Sequence, residues 1–295
     1  MNLRNNENKI AFIIVASVLI LVGFLWFAFQ NPSLNPRLEK ENYTIIRKWE
    51  MPKELDEISG ITWAGDNKIA CVQDEEGIIF IYNLTSSLVE KTINFSKAGD
   101  YEGLAIIDST AYVLRSDGEL FEIINYLSEN FEVKTHDTPF SGKNNMESLT
   151  IDKKNNRLLL IPKDKDLQSA DYLGIYAFNL DTKKIEENPI MQIKHNDPIF
   201  ESKSKSKDDD KEASNSINPA DIAINPLDGN IYVVEAKKPQ LLILDTKGKA
   251  LKLHNLLQET FSQPEGIIFS PEGKMYISNE GKNGTANIME VEIDQ

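Results

Sequence analysis

One cysteine, Cys71, and three histidines, His136, His195 and His254, are all this sequence has of the Cys and His side chains that build disulfides and zinc sites. No intrachain disulfide can form, and no Cys/His pair has zinc spacing. Cys71 lies in the apolar run Ile69–Val72 and reads as a small core residue. Basic charge is also short. The 32 Lys and Arg face 46 Asp and Glu, a formal net charge of −14. A phosphate-backbone binder needs a basic footprint, so the charge argues against nucleic acid as a partner. A Gly-x-Ser-x-Gly elbow, a phosphate loop and a dinucleotide fingerprint are missing as well. The remainder is ordinary globular composition, 41% hydrophobic and 26% charged over 295 residues, enough for one large core.

The chain has a single long apolar run, Ile10–Phe29, of 20 residues. About 20 apolar residues span a bilayer as a helix. Arg4 and Lys9 precede it against one acid, Glu7, which places residues 1–9 in the cytoplasm and the remainder outside. The run ends in Trp26-Phe27-Ala28-Phe29, with no small-residue cleavage pattern and no nearby cysteine for a lipid anchor. The expectation is an uncleaved signal anchor, a cell-membrane protein with one transmembrane helix and a periplasmic or extracellular C-terminal domain. Residues 30–42, with Pro32 and Pro36, read as a tether.

Beyond the tether a short apolar run headed by a small or acidic residue recurs five times. The heads are Ser59, Glu102, Glu147, Ala220 and Glu265, spaced by 43, 45, 73 and 45 residues. Such a period is that of a propeller blade. Each repeat continues into further β-branched and aromatic runs separated by turns. The fifth repeat is one strand short, and Tyr43–Trp49 is a lone strand before the first. Joining the two closes the ring and leaves no open edge. The expected fold over residues 43–295 is therefore an all-β, five-bladed β-propeller, with six blades as the alternative, and a monomer. The long spacing is explained by residues 196–216, a charged, low-complexity insert. Its Asp208-Asp209-Asp210 lacks the pattern of a calcium loop.

In a four-stranded meander the start of strand one and the end of strand two share one end of the blade. The heads then ring one mouth of the central channel. Glu102, Glu147 and Glu265 are heads, Glu57 lies two residues before Ser59 and on its side, and Asp221 is one residue out of register beside Ala220. Asp74, Arg115, Lys163, Glu235, Lys237, Asn279 and Glu280 join the rim from the second strands. Converging carboxylates repel, so some take up protons or a cation neutralises them. Calcium is the economical ion, with Glu57, Glu102, Glu147, Glu265 and Asp221 as candidate ligands. Two plainer readings stand beside it. Arg115, Lys163 and Lys237 neutralise the ring as salt bridges, or each head caps backbone N–H groups of a neighbouring blade.

The heads Glu57-Ile58-Ser59-Gly60-Ile61, Tyr101-Glu102-Gly103-Leu104-Ala105-Ile106, Met146-Glu147-Ser148-Leu149-Thr150-Ile151 and Gln263-Pro264-Glu265-Gly266-Ile267-Ile268-Phe269, followed by Tyr276–Gly281, resemble the SdiA-regulated family. The resemblance runs from Tyr43 to the C-terminus. It implies an exported or membrane-anchored bacterial propeller with Ca²⁺ at its channel, carried over onto Glu57, Ser59, Glu102, Glu147 and Glu265. Ala220 departs from the acidic pattern. Similarity to phytase-like and lactonase-like propeller hydrolases is analogy of fold. The functional expectation is a membrane-tethered binding or scaffold module for an unknown protein or small molecule at the mouth. The alternative is a Ca²⁺-dependent hydrolase of phosphate or carboxylic esters.

Overall fold

Strand β1 (Tyr43–Glu50) finds no partner in the strand that follows it. The computed structural model describes residues 42–200, 216–282 and 284–294. The expected cytoplasmic segment 1–9, the apolar run 10–29, residues 30–41 of the tether and residues 201–215 of the insert lie outside the described residues. Among the described residues no helix is long and apolar enough to cross a membrane.

Blade one is β2 (Ile58–Gly65), β3 (Lys68–Gln73), β4 (Ile78–Asn83) and β5 (Leu88–Asn94). Blade two is β6 (Tyr101–Ile107), β7 (Thr110–Arg115), β8 (Leu120–Ile124) and β9 (Glu132–His136). Blade three is β10 (Met146–Asp152), β11 (Arg157–Pro162), β12 (Tyr172–Asn179), β13 (Lys184–Ile185) and β14 (Met191–Lys194). Its outer strand comes in two pieces that both pair with β12, parted around Pro189, which has no N–H to give. Blade four is β15 (Pro219–Ile224), β16 (Ile231–Glu235), β17 (Gln240–Leu244) and β18 (Ala250–Asn255). Blade five is β19 (Pro264–Phe269), β20 (Met275–Asn279), β21 (Asn287–Ile293) and then β1, which pairs antiparallel with β21 from Tyr43↔Ile293 to Glu50↔Asn287. The described residues thus form five sheets, each an antiparallel meander, which sets the six-bladed alternative aside. The innermost strands β2, β6, β10, β15 and β19 neighbour one another in turn, and β19 meets β2.

One apolar cluster fills each interface between blades. Ile61, Cys71, Tyr82 and Tyr276 join blades one and five, and Val72, Leu104 and Val113 join one and two. Leu114, Leu149 and Phe178 join two and three, Ile161, Ile222 and Val233 join three and four, and Val234, Ile267 and Ile277 join four and five. Burying one such side chain contributes about 1.5–3 kcal/mol, so the ring is held blade to blade. Cys71 is wholly buried here, as its apolar run predicts. The insert is not wholly without a packed part. Ile199 and Phe200 lie against the cluster between blades three and four.

Each inner strand carries a β-bulge at its start. The ladder register shifts between Tyr101 and Gly103, Met146 and Ser148, Pro219 and Ala220's neighbour Asp221, Pro264 and Gly266, and Ile58 and Ile61. The repeat heads Glu102, Glu147, Ala220 and Glu265 are the skipped residues, and Ser59 lies inside the wider shift. A bulge re-aims the extra side chain without breaking the sheet. The residue after the head turns toward the neighbouring inner strand, where space is short. A Cβ on Gly60 would stand 2.4 Å from the Glu102 carbonyl oxygen, and one on Gly103 would stand 2.5 Å from the Leu149 Cβ. That is why small residues follow the heads.

Candidate functional site

The bulges bring Glu102, Glu147 and Glu265 within one another's electrostatic reach at one mouth of the ring. Glu102 is held well above its ordinary pKa by burial, by the charge of Glu147, by a hydrogen bond with Asp100 and by the charge of Glu265. Burial lifts Glu265 to about 8, against the pull of Lys163 and with the push of Glu147 and Glu280. Burial lifts Glu147 to about 7 although Lys163 pairs with it. Glu57 completes the set on the exposed rim, where it shares a hydrogen bond with Glu280. Burial and that bond raise Glu280 to about 7. Asp74, beside Glu57 and Asp100, rises to about 6, chiefly through burial.

Asp221 behaves differently. It is 1% exposed, and its carboxyl reaches both flanking blades. The Leu149 N–H donates to Oδ1 at 3.3 Å and the Ile267 N–H to Oδ2 at 2.9 Å. Of the plainer readings, backbone capping describes Asp221. It stands one residue beyond its bulge, at the position held by Gly103, Ser148 and Gly266 in other blades, and takes the space those small residues leave.

The salt-bridge reading fits one residue. Lys163 pairs with Glu147 and is held above its ordinary value because Glu147, Glu265 and Glu102 outweigh the cost of its burial. Arg115 instead binds Asp117 through two nitrogens, at 2.9 and 2.7 Å, and Glu119 at 2.8 Å. Lys237 is exposed.

Of a second polar ring, the sequence pattern above picks out only Glu57. Two residues before each head stand Glu57, Asp100, Asn145, Asn218 and Gln263. Three of them bond the head of their own blade. Asn145 Nδ2 donates to Glu147 Oε1 at 2.9 Å, Gln263 Nε2 donates to Glu265 Oε1 at 2.8 Å, and Asp100 bonds Glu102. Gln263 Nε2 also donates to Glu280 Oε2. The repeat alignment holds this ring in plain view, since each blade has a hydrogen-bonding side chain at that offset. A further network lies away from the mouth. Buried Glu122 accepts from Tyr112 Oη at 2.7 Å and from Lys183 Nζ of the next blade, and bonds His136 Nε2 at 2.8 Å. Burial opposes its charge, yet these bonds hold the carboxyl down at about 2. Every member has partners, so the network locks blade two to blade three.

Calcium takes six to eight converging oxygens. Among the described residues no three Asp, Glu, His or Cys side chains form a group able to hold a metal ion. The carboxyls repel across the mouth without gathering round one point, so they do not fit the ion as they stand.

The sequence model of the family described as SdiA-regulated matches residues 37–284. The chain belongs to the SdiA-regulated family. No curated protein matches this SdiA-regulated chain in sequence. Among solved structures it is similar to glutaminyl cyclase of Myxococcus xanthus, at 15% identity and a TM-score of 0.56, over 85% of this chain and 96% of that one. It is also similar to the PQQ-bound aldose sugar dehydrogenase of Streptomyces coelicolor, at 11% identity and a TM-score of 0.51, over 85% of this chain and 98% of that one. At such identities the likeness shows the fold alone.

Proposed function

We propose that this SdiA-regulated propeller is a binding module, tethered outside the cytoplasmic membrane by the apolar run 10–29, whose acidic mouth receives a cationic ligand. The observation that supports it is the bulge-projected trio of buried Glu147 and half-buried Glu102 and Glu265, with Lys163 ion-paired to Glu147. Crowding like charges is unfavourable unless protons or a cation relieve it. The apolar run supports the tether by its length and by the basic residues before it. Calcium and an organic amine are both cations of the required sign. Calorimetric titration of the full-length chain in detergent with each of them tests the reading. Saturable binding of either, weakened about tenfold by Glu102→Gln or Glu265→Gln, is the expected result. No saturable heat from either would overturn it.

The second reading is a hydrolase of phosphate or carboxylic esters, and Glu147 is what favours it. Its carboxyl, raised by burial to about 7, can exchange a proton at neutral pH. The Lys163 ammonium beside it is a partner for a developing oxyanion. A phosphatase and esterase panel, run with calcium and with chelator, separates the readings. The binding module predicts a silent panel, and turnover abolished by Glu147→Gln would establish the enzyme instead.

A further inference from the structure

The mouth is unevenly supplied with hydrogen-bond donors. On the side of blades two and three, the Lys163 ammonium bonds Glu147 and lies in the field of Glu265 and Glu102. The fold thus seats a primary ammonium among these glutamates. On the side of blades five and one, Glu57, Asp74 and Glu280 press on one another, and the cation that acts on Glu280 is Lys282, an exposed residue. Asp74 Oδ1 is buried there without a partner.

More acceptors are orphaned round the same rim. Asn279 is 0% exposed, at the end of β20 next to Glu280. It donates through Nδ2 to Asn287 Oδ1 at 3.1 Å, but its own Oδ1 has no partner. Glu235, 3% exposed at the end of β16 and within the field of Lys163, leaves Oε2 without a donor. A buried acceptor left unmade costs about 1–3 kcal/mol, so these atoms point to a ligand that donates. They belong to three blades, one, four and five. A single ion serves only oxygens that converge on it, and among the described residues no three Asp, Glu, His or Cys side chains do so. Donors set apart along one molecule can serve all three.

Resting on the binding-module reading, we infer that the ligand of the mouth is an organic cation with several N–H donors, a linear polyamine, and that one of its ammonium groups lies beside Glu280, within the field of Glu57 and Asp74. That ammonium does for blades five and one what Lys163 does for blades two and three. Methylene spacers let its other nitrogens approach Asn279 Oδ1 and Glu235 Oε2.

The probes are spermidine, calcium chloride and tetramethylammonium chloride, titrated calorimetrically into the full-length chain in detergent at neutral pH. The salt is ~0.15 M, where exposed charges are largely screened. Spermidine is expected to bind saturably at one site per chain. Asp74→Asn and Glu280→Gln should each weaken it about tenfold, since each removes a charge-assisted acceptor. Tetramethylammonium has the charge without the donors and should give no saturable heat. Glu57→Gln, on the exposed rim, is the variant least able to disturb folding and should weaken spermidine in the same direction. Calcium binding alone would overturn the polyamine while sparing the cation-binding mouth. Silence from all three cations would overturn both. Spermidine binding unchanged in all three variants would place it elsewhere and refute this seat.

Discussion

Acidifying this protein from about pH 8 to about pH 5 is expected to raise its Tm by roughly 6–12 °C. In the fold Glu265 keeps its proton up to about pH 8, because burial disfavours its charge and Glu147 and Glu280 repel it. In the unfolded chain it releases that proton near the ordinary glutamate value of 4.5. Between those values the native state binds more protons than the unfolded one, so stability is fully present below the unfolded pKa and is lost as pH rises through the folded one. One pKa unit corresponds to about 1.4 kcal/mol, and solvent at the open mouth screens the full figure, leaving about 3 kcal/mol for this carboxyl. For a domain of this size each kcal/mol moves Tm by about 2–4 °C. Glu147 and Glu280, both raised, act in the same direction. Glu122 has the opposite sign. Its carboxyl is held at about 2, so its contribution is present above the usual carboxylate range and fades only in strong acid, below the window tested. Thermal melts at three pH values would check this. Glu265→Gln should flatten the slope and raise Tm at the alkaline end. A Tm that is level or rises with pH would refute the account of the mouth as a store of repelling charge.

Asp221→Ala is expected to cost about 3 kcal/mol, a fall in Tm of roughly 6–12 °C. The substitution strips acceptors from two backbone N–H groups, Leu149 in blade three and Ile267 in blade five, both inside the ring. Neither has water to turn to, because Asp221 is 1% exposed. Asp221→Asn keeps one carbonyl oxygen but turns an amide N–H toward the second donor, so its loss should fall between wild type and alanine. Glu102→Gln is the contrast. It removes a charge the fold resists, and should leave Tm unchanged or higher. Differential scanning calorimetry of the three variants decides it. An Asp221→Ala protein melting with wild type would mean that the two amides find other acceptors.

Much of this fold was legible in the sequence because a propeller repeats its constraint. Every blade must supply an inner strand that is small, apolar and crowded on both sides, so Gly60, Gly103 and Gly266 recur in phase with the heads. The lone strand Tyr43–Trp49 and the short fifth repeat announced their pairing by being one too many and one too few. The bulges were not legible. Strict alternation along a strand predicts where each side chain points, and a bulge is a one-residue exception to that rule. Asp221 shows the consequence. Counted as a carboxylate near the heads, it joined the candidate ligands, yet the bulge places it one step past them and onto the neighbours' amides. The ring of Glu57, Asp100, Asn145, Asn218 and Gln263 could have been found by aligning the repeats two residues earlier. The Tyr112, Glu122, His136 and Lys183 network could not. It joins residues of different blades, and the Lys183 backbone reaches it through a left-handed turn residue, φ 55°, that no repeat pattern encodes.

The pairing of β1 with β21 also sets an order of events during synthesis. Strands two to twenty can stack as they leave the ribosome, but the sheet that seals the circle needs one strand made early and one made late. Until β21 emerges, β1 and β20 both present unpaired backbone to the solvent, and a nascent chain stalled at that stage carries two sticky edges.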